Sequence, residues 1–122
     1  MNDGKHNIYL SGDTGYYNGF KTIGEKLGPF DFAMVECGQY SRYWPLIHLM
    51  PEESVQVALD VQSKMAMPIH WGKFKLSIHP WNEPPKRFAS AAKEKGLQTV
   101  IPVIGQVFSL DDAPLSDWWQ NK

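Results

Sequence analysis

The order of hydrophobic periods constrains this chain most. Short β-rich runs alternate with longer stretches of helical period, and Gly or Pro punctuates the joins. Such alternation specifies an α/β domain with a largely parallel sheet, because each helix carries the chain back to the edge where the next strand starts. The first strand is expected over residues 7–11, followed by a loop marked by Gly12, Gly15 and Gly19 and a helix over 20–27. Phe20, Ile23 and Leu27 share one face of that helix, and Gly28-Pro29 ends it. A second strand at Phe32–Glu36 leads through a long loop to a helix opening at Pro51-Glu52-Glu53 and running to about residue 64. A third strand over 65–70 precedes an aromatic loop and a helix that starts near Pro84-Pro85 and stops before Gly96. Two further strands are expected, over 99–102 and 106–110, followed by a polar tail with Trp118 and Trp119.

A chain of 122 residues, 43% hydrophobic, fits one domain with one core. The formal net charge is -1 and the charged residues are scattered, so the chain lacks the basic footprint of a nucleic-acid binder. Cys37 is the single cysteine and has no internal disulfide partner. The stretch "MNDGKHN" is no apolar signal segment, and no run approaches the roughly 18 apolar residues of a membrane helix. The expected compartment is the cytoplasm.

Parallel strands place their carboxyl ends on one rim, where open α/β sheets bind ligands. Asp13, the Glu36-Cys37 pair and His70 stand at three successive strand ends, so a carboxylate and an imidazole, both divalent-metal ligands, converge on that rim. Each residue alone has a plainer reading. Asp13 before Thr-Gly is a common turn former or N-cap, His70 can hydrogen-bond a loop carbonyl, and His48 and His79 can cap helix starts or face solvent. Glu36 reads as a strand-end charge and Cys37 as a small buried hydrophobe. There is no Gly-x-Ser-x-Gly elbow, and "GDTGYYNG" does not fit the dinucleotide pattern G-x-G-x-x-G.

Three segments in order, "IYLSGDTGYYNGFKTIGEKLGPFD", "WPLIHLMPEESVQVALDVQSK" and "MPIHWGKFKLSIHPWNEPPKRF", carry more than their parts. Together, over residues 7–110, they resemble the C-terminal half of a metallo-β-lactamase-fold hydrolase, in the branch of N-acyl-phosphatidylethanolamine phospholipase D and its bacterial relatives. The resemblance implies half of an αββα sandwich, with helices on one face of a mixed, largely parallel sheet. It implies that Asp13 bridges two metal ions, usually zinc, and that His70 is a terminal ligand of the second. His48, in "IHLMPEE", matches a histidine on the substrate side of the site, with a catalytic role in orienting or polarising the substrate. Tyr40, Trp44 and Trp71 would line the pocket. Members of the family direct a metal-bound hydroxide at a phosphodiester, lactone or related ester.

The family's H-x-H-x-D-H motif belongs to its N-terminal half, and His6, His48, His70 and His79 are all the histidines of this chain. The expectation is therefore a fragment, one partner of a split enzyme, or the product of a truncated gene, with weak or no zinc binding by itself. Residues 1–110 form the half-domain and 111–122 a tail, disordered or interface-forming. A sheet face without its other half favours a homodimer or a complementary chain that covers it. The substrate is expected to be a small-molecule or lipid-like ester. The alternative is a catalytically silent, dimerising α/β domain that keeps Asp13 and His70 as vestiges.

Overall fold

The computed structural model describes residues 1–120. Its elements alternate as the sequence predicts: β1 (Ile8–Leu10), α1 (Gly19–Leu27), β2 (Phe32–Glu36), α2 (Pro51–Asp60), β3 (Met65–Ile69), α3 (Glu83–Glu94) and β4 (Gln98–Thr99), with a 3₁₀ turn at Trp118–Gln120. The four strands lie in the order β1-β2-β3-β4 and pair in parallel throughout. Leu10 stands opposite Met34, and Glu36 opposite Ile69. The strand ends that carry the candidate residues are therefore neighbours on one rim.

All three helices pack on one face. Phe20 of α1, Val55 and Ala58 of α2, and Phe88 and Ala92 of α3 bury against Ala33, Val35 and Ala66 of the central strands. Each fully buried Val or Phe there contributes about 1.5–3 kcal/mol of apolar transfer. In α2 the proline occupies the first turn, and Glu53 accepts a hydrogen bond from the Met50 amide at 2.8 Å, so the helix start anticipated from "MPEES" is made by its own residues. The helix ends at Asp60, four residues before the expected limit, because Gln62 takes a left-handed backbone (φ 61°) and Lys64 bonds across to Phe30.

Three sequence expectations shift in the folded chain. Leu27 is largely exposed, since buried Gly24 and not Leu27 completes the inner face of α1. The sheet gains no strand at 106–110: Phe108 and Leu110, with Ala113, instead pack on the second sheet face over Phe32, Met65 and Val100. Trp119 is buried at 5% exposure, its carbonyl accepting from Asn82, and the Trp118 indole donates to the carbonyl of Pro102 at 3.1 Å. The segment expected to be a polar tail thus anchors two tryptophans as far as Gln120, while residues 121–122 of that expectation lie outside the described residues.

Candidate metal centre

Beyond β1 the chain crosses the end of β2. The Ser11 amide donates to Met34, and the Ser11 hydroxyl accepts from the Glu36 amide at 2.9 Å. Asp13 follows, with its carboxylate facing solvent. Gly15 then passes so close to the next loop that a Cβ on it would sit 2.4 Å from the Pro45 carbonyl oxygen, and its amide donates to Leu46 at 3.2 Å. Only a residue without a side chain permits that approach, and it brings the loop of Asp13 against the loop of His48.

His48 is held by a turn in which the Ile47 and His48 amides both donate to the Trp44 carbonyl. Its ring lies over Glu36, with Nδ1 3.4 Å from Oε1. Glu36 is wholly buried and accepts the Leu49 amide at 2.6 Å. Burial pushes the Glu36 carboxyl up to about 8; the Leu49 amide opposes that, the Asp13 charge adds to it, and the Thr14 and Gly38 amides again oppose it. Burial likewise holds the His48 imidazole below its ordinary value. His70 leaves β3 in the left-handed region (φ 65°), which turns the chain sharply off the sheet.

These three routes meet. His70 Nε2 lies 3.6 Å from Asp13 Oδ1, and the His48 and His70 rings stack at 5.3 Å between centroids. One ligand atom from each of Asp13, His48 and His70 lies within 4.8 Å of the others. One carboxylate and two imidazoles form a donor set suited to zinc and its first-row neighbours. Beneath them, Nδ1 of His48 and Oε2 of Glu36 are buried without a hydrogen-bond partner among the described residues, an arrangement that native sites rarely tolerate without a purpose.

The sequence-predicted residues Asp13, His70 and His48 therefore come together. Trp71 lines a cleft of about 380 Å³ that opens beside His70, with Ile101, Phe108 and Trp118 among its other walls. Tyr40 belongs to a different cleft, stacked on His79, and Trp44 buttresses the His48 turn through its indole bond to the Gln39 carbonyl. Neither lines the cleft beside His70. Cys37 is fully buried and its thiol is pushed up by burial, as befits a core residue. Sequence reading undervalued Glu36: the signal was a carboxylate closing the otherwise apolar strand "FAMVE".

The model of the family described as β-lactamase superfamily domain matches residues 1–71. An uncharacterized protein of Mycobacterium tuberculosis is 42% identical over 119 residues, covering 94% of this chain and 32% of its own length. N-acyl-phosphatidylethanolamine-hydrolyzing phospholipase D 1 of Caenorhabditis elegans is 42% identical over 72 residues, covering 57% of this chain and 20% of its own. A UPF0173 metal-dependent hydrolase of Listeria welshimeri is 31% identical, covering 82% of this chain and 39% of its own. Among solved structures, a metallo hydrolase of the archaeon Ignicoccus hospitalis superposes with a TM-score of 0.63 at 18% identity, covering 87% of this chain and 41% of that one. The chain spans about a third of the length of the M. tuberculosis relative. A parallel sheet backed by helices on one face, a rim of Asp13, His48 and His70, and a family match across more than half the residues lead to one conclusion: this chain belongs to the β-lactamase superfamily domain family and has the metallo-β-lactamase fold.

Proposed function

We propose that this chain carries part of the metal centre of a zinc-dependent hydrolase acting on a phosphodiester, lactone or related ester. The convergence of Asp13, His48 and His70 within 4.8 Å supports the reading best. Asp13 and His70 would hold the metal, and His48, oriented over Glu36, would position the substrate. A bound zinc supplies Lewis acidity and a lowered pKa for water. Asp13 provides the negative charge that offsets the cation. Burial keeps His48 neutral, so one of its ring nitrogens is free to accept a proton or hydrogen bond from substrate.

Two protein ligands, Asp13 and His70, are few for two metal ions. The remaining ligands would come from an H-x-H-x-D-H segment outside this chain, and the chain alone would be inactive. A complementary chain or a second copy would cover the open sheet face, where Leu10 is 50% exposed and Met34, Met67 and Ile69 are only half-buried. Zinc titration against a chromophoric chelator tests the assignment, with the chain alone and mixed with a polypeptide bearing that motif. Weak uptake alone, with stoichiometric uptake and hydrolysis of an activated phosphodiester in the mixture, is expected. Both should be lost in Asp13→Ala and His70→Ala. Uptake that neither substitution alters would overturn the reading.

A further inference from the structure

One buried side chain ties down the loop that follows His70. Gln39 is 5% exposed and sits in the left-handed backbone region at φ 63°, a position a glutamine rarely adopts. Its amide nitrogen donates to the Phe74 carbonyl at 2.6 Å, and its amide oxygen accepts from Leu76 at 2.7 Å and from Ser77 at 3.1 Å. The next residue, Tyr40, takes the Ser77 hydroxyl on its carbonyl. Among the described residues, every hydrogen bond between residues 72–78 and the rest of the protein goes to Gln39 or Tyr40.

The same short segment grips the histidine itself. Cys37 donates to the Ile69 carbonyl, continuing the β2–β3 ladder one step past the strand. Gly38 then lies so close that a Cβ on it would fall 1.9 Å from the His70 carbonyl oxygen. On its other side, Gln39 reaches the turn of His48: its carbonyl accepts the Trp44 indole, and the Trp44 carbonyl holds the Ile47 and His48 amides. Gln39 thus works toward His48 through its backbone and toward His70 through its side chain.

We propose that Gln39 is a positioning residue that sets His70 in register with Asp13 and His48 by clamping the 72–78 loop. The claim rests on the metal-centre reading for its purpose but not for its geometry. His70 stands in a strained left-handed turn at the end of a strand. With the loop beyond it untied, that turn relaxes and the imidazole swings away from Asp13. Exposed Phe74, Leu76 and Ile78 on this loop supply little packing to hold it otherwise.

Gln39→Gly separates the side chain from the backbone. Glycine accepts the positive φ without strain and keeps the carbonyl that binds Trp44, so only the three side-chain hydrogen bonds vanish. The first readout is the ring-proton NMR spectrum of the metal-free chain, with each histidine assigned by substitution. In Gln39→Gly the His70 signals should lose the ring-current shift of the stack and move toward free-imidazole positions, while the Trp44 indole N–H signal stays. The second readout is cobalt titration followed by its visible absorption, in which Gln39→Gly should weaken binding by about tenfold or more, the scale of losing a ligand's supporting partner. Gln39→Glu retains the acceptor for Leu76 and Ser77 and should recover part of both effects. Unchanged His70 signals in Gln39→Gly would overturn the proposal. If the unsubstituted chain takes up no cobalt even when mixed with the polypeptide bearing H-x-H-x-D-H, the metal reading is weakened, and the histidine spectra still decide the role of Gln39.

Discussion

At the scale of single residues, the site is a matter of who faces whom. Glu36 is fully buried, and its carboxyl, raised to about 8 chiefly by burial, is turned on the ring of His48. That arrangement orients an imidazole and leaves its other nitrogen for the rim. If His48 positions substrate, His48→Ala should lower hydrolysis by the complemented protein about a hundredfold, the usual scale of losing one acid-base group, with zinc stoichiometry unchanged. Parallel loss of zinc in the same titration would make His48 a ligand instead. Asp13 and His70 could be marked in the sequence because "GDTG" and "IHWG" stand at strand ends and, in order with "IHLMPEE", carry the family resemblance. Gln39 could not: its three partners lie 35 to 38 residues away, and nothing local distinguishes "GQY" from an ordinary loop.

At the scale of elements, α2 and α3 are joined at their starts by one guanidinium. Arg87 makes a two-pronged pair with Glu52 at 2.6 and 2.8 Å, reaches Glu83 at 3.2 Å, and lies over the Tyr40 ring. The Glu52 carboxyl is held below its ordinary value by Arg87, against the opposing effect of burial. For Glu83 burial is the largest influence and raises it, but hydrogen bonds from Tyr40 and Arg87, with the charges of Arg87 and His79, bring it down overall. Both folded values lie below the unfolded value near 4.5, so the native state binds fewer protons than the unfolded state in that range. Their contribution is present above about pH 4.5 and is lost as pH falls through the lowered values. Thermal melts across pH 3 to 7 should show Arg87→Met less stable than the parent at neutral pH, with the gap closing in acid. The expected gap is small, about 1 kcal/mol or less, because Glu52 is half-exposed. A gap that widens in acid would contradict this account. The two helices themselves were legible from "PEES" and "EPP", where proline and acid stand at the first turn; their joining was not, since Arg87 and Glu52 are 35 residues apart.

At the scale of the whole molecule, the helical face is finished and the opposite face is not. Phe108, Leu110 and Ala113 cover its centre, while Leu10 at one edge and Ile104 and Val107 near the other stay exposed. Exposed apolar area of this kind favours association. Light scattering coupled to size exclusion at micromolar concentration should find the chain as a dimer or larger, and Leu10→Lys should shift it toward monomer. A stable monomer of the unsubstituted chain would remove the proposed partner. By itself, the sequence determined the α/β class, a largely parallel sheet and, through the motifs that carry the family resemblance, the residues Asp13, His48 and His70. Each of those is written in local signals: a period of two or of 3.6, a turn residue, a short motif. Only the tertiary structure decided that 106–110 covers the sheet and adds no strand, that Glu36 lies beneath His48, and that Gln39 spans the two histidine loops. These are contacts between segments distant along the chain, and side-chain geometry across such a distance exists only once the backbone has closed around it.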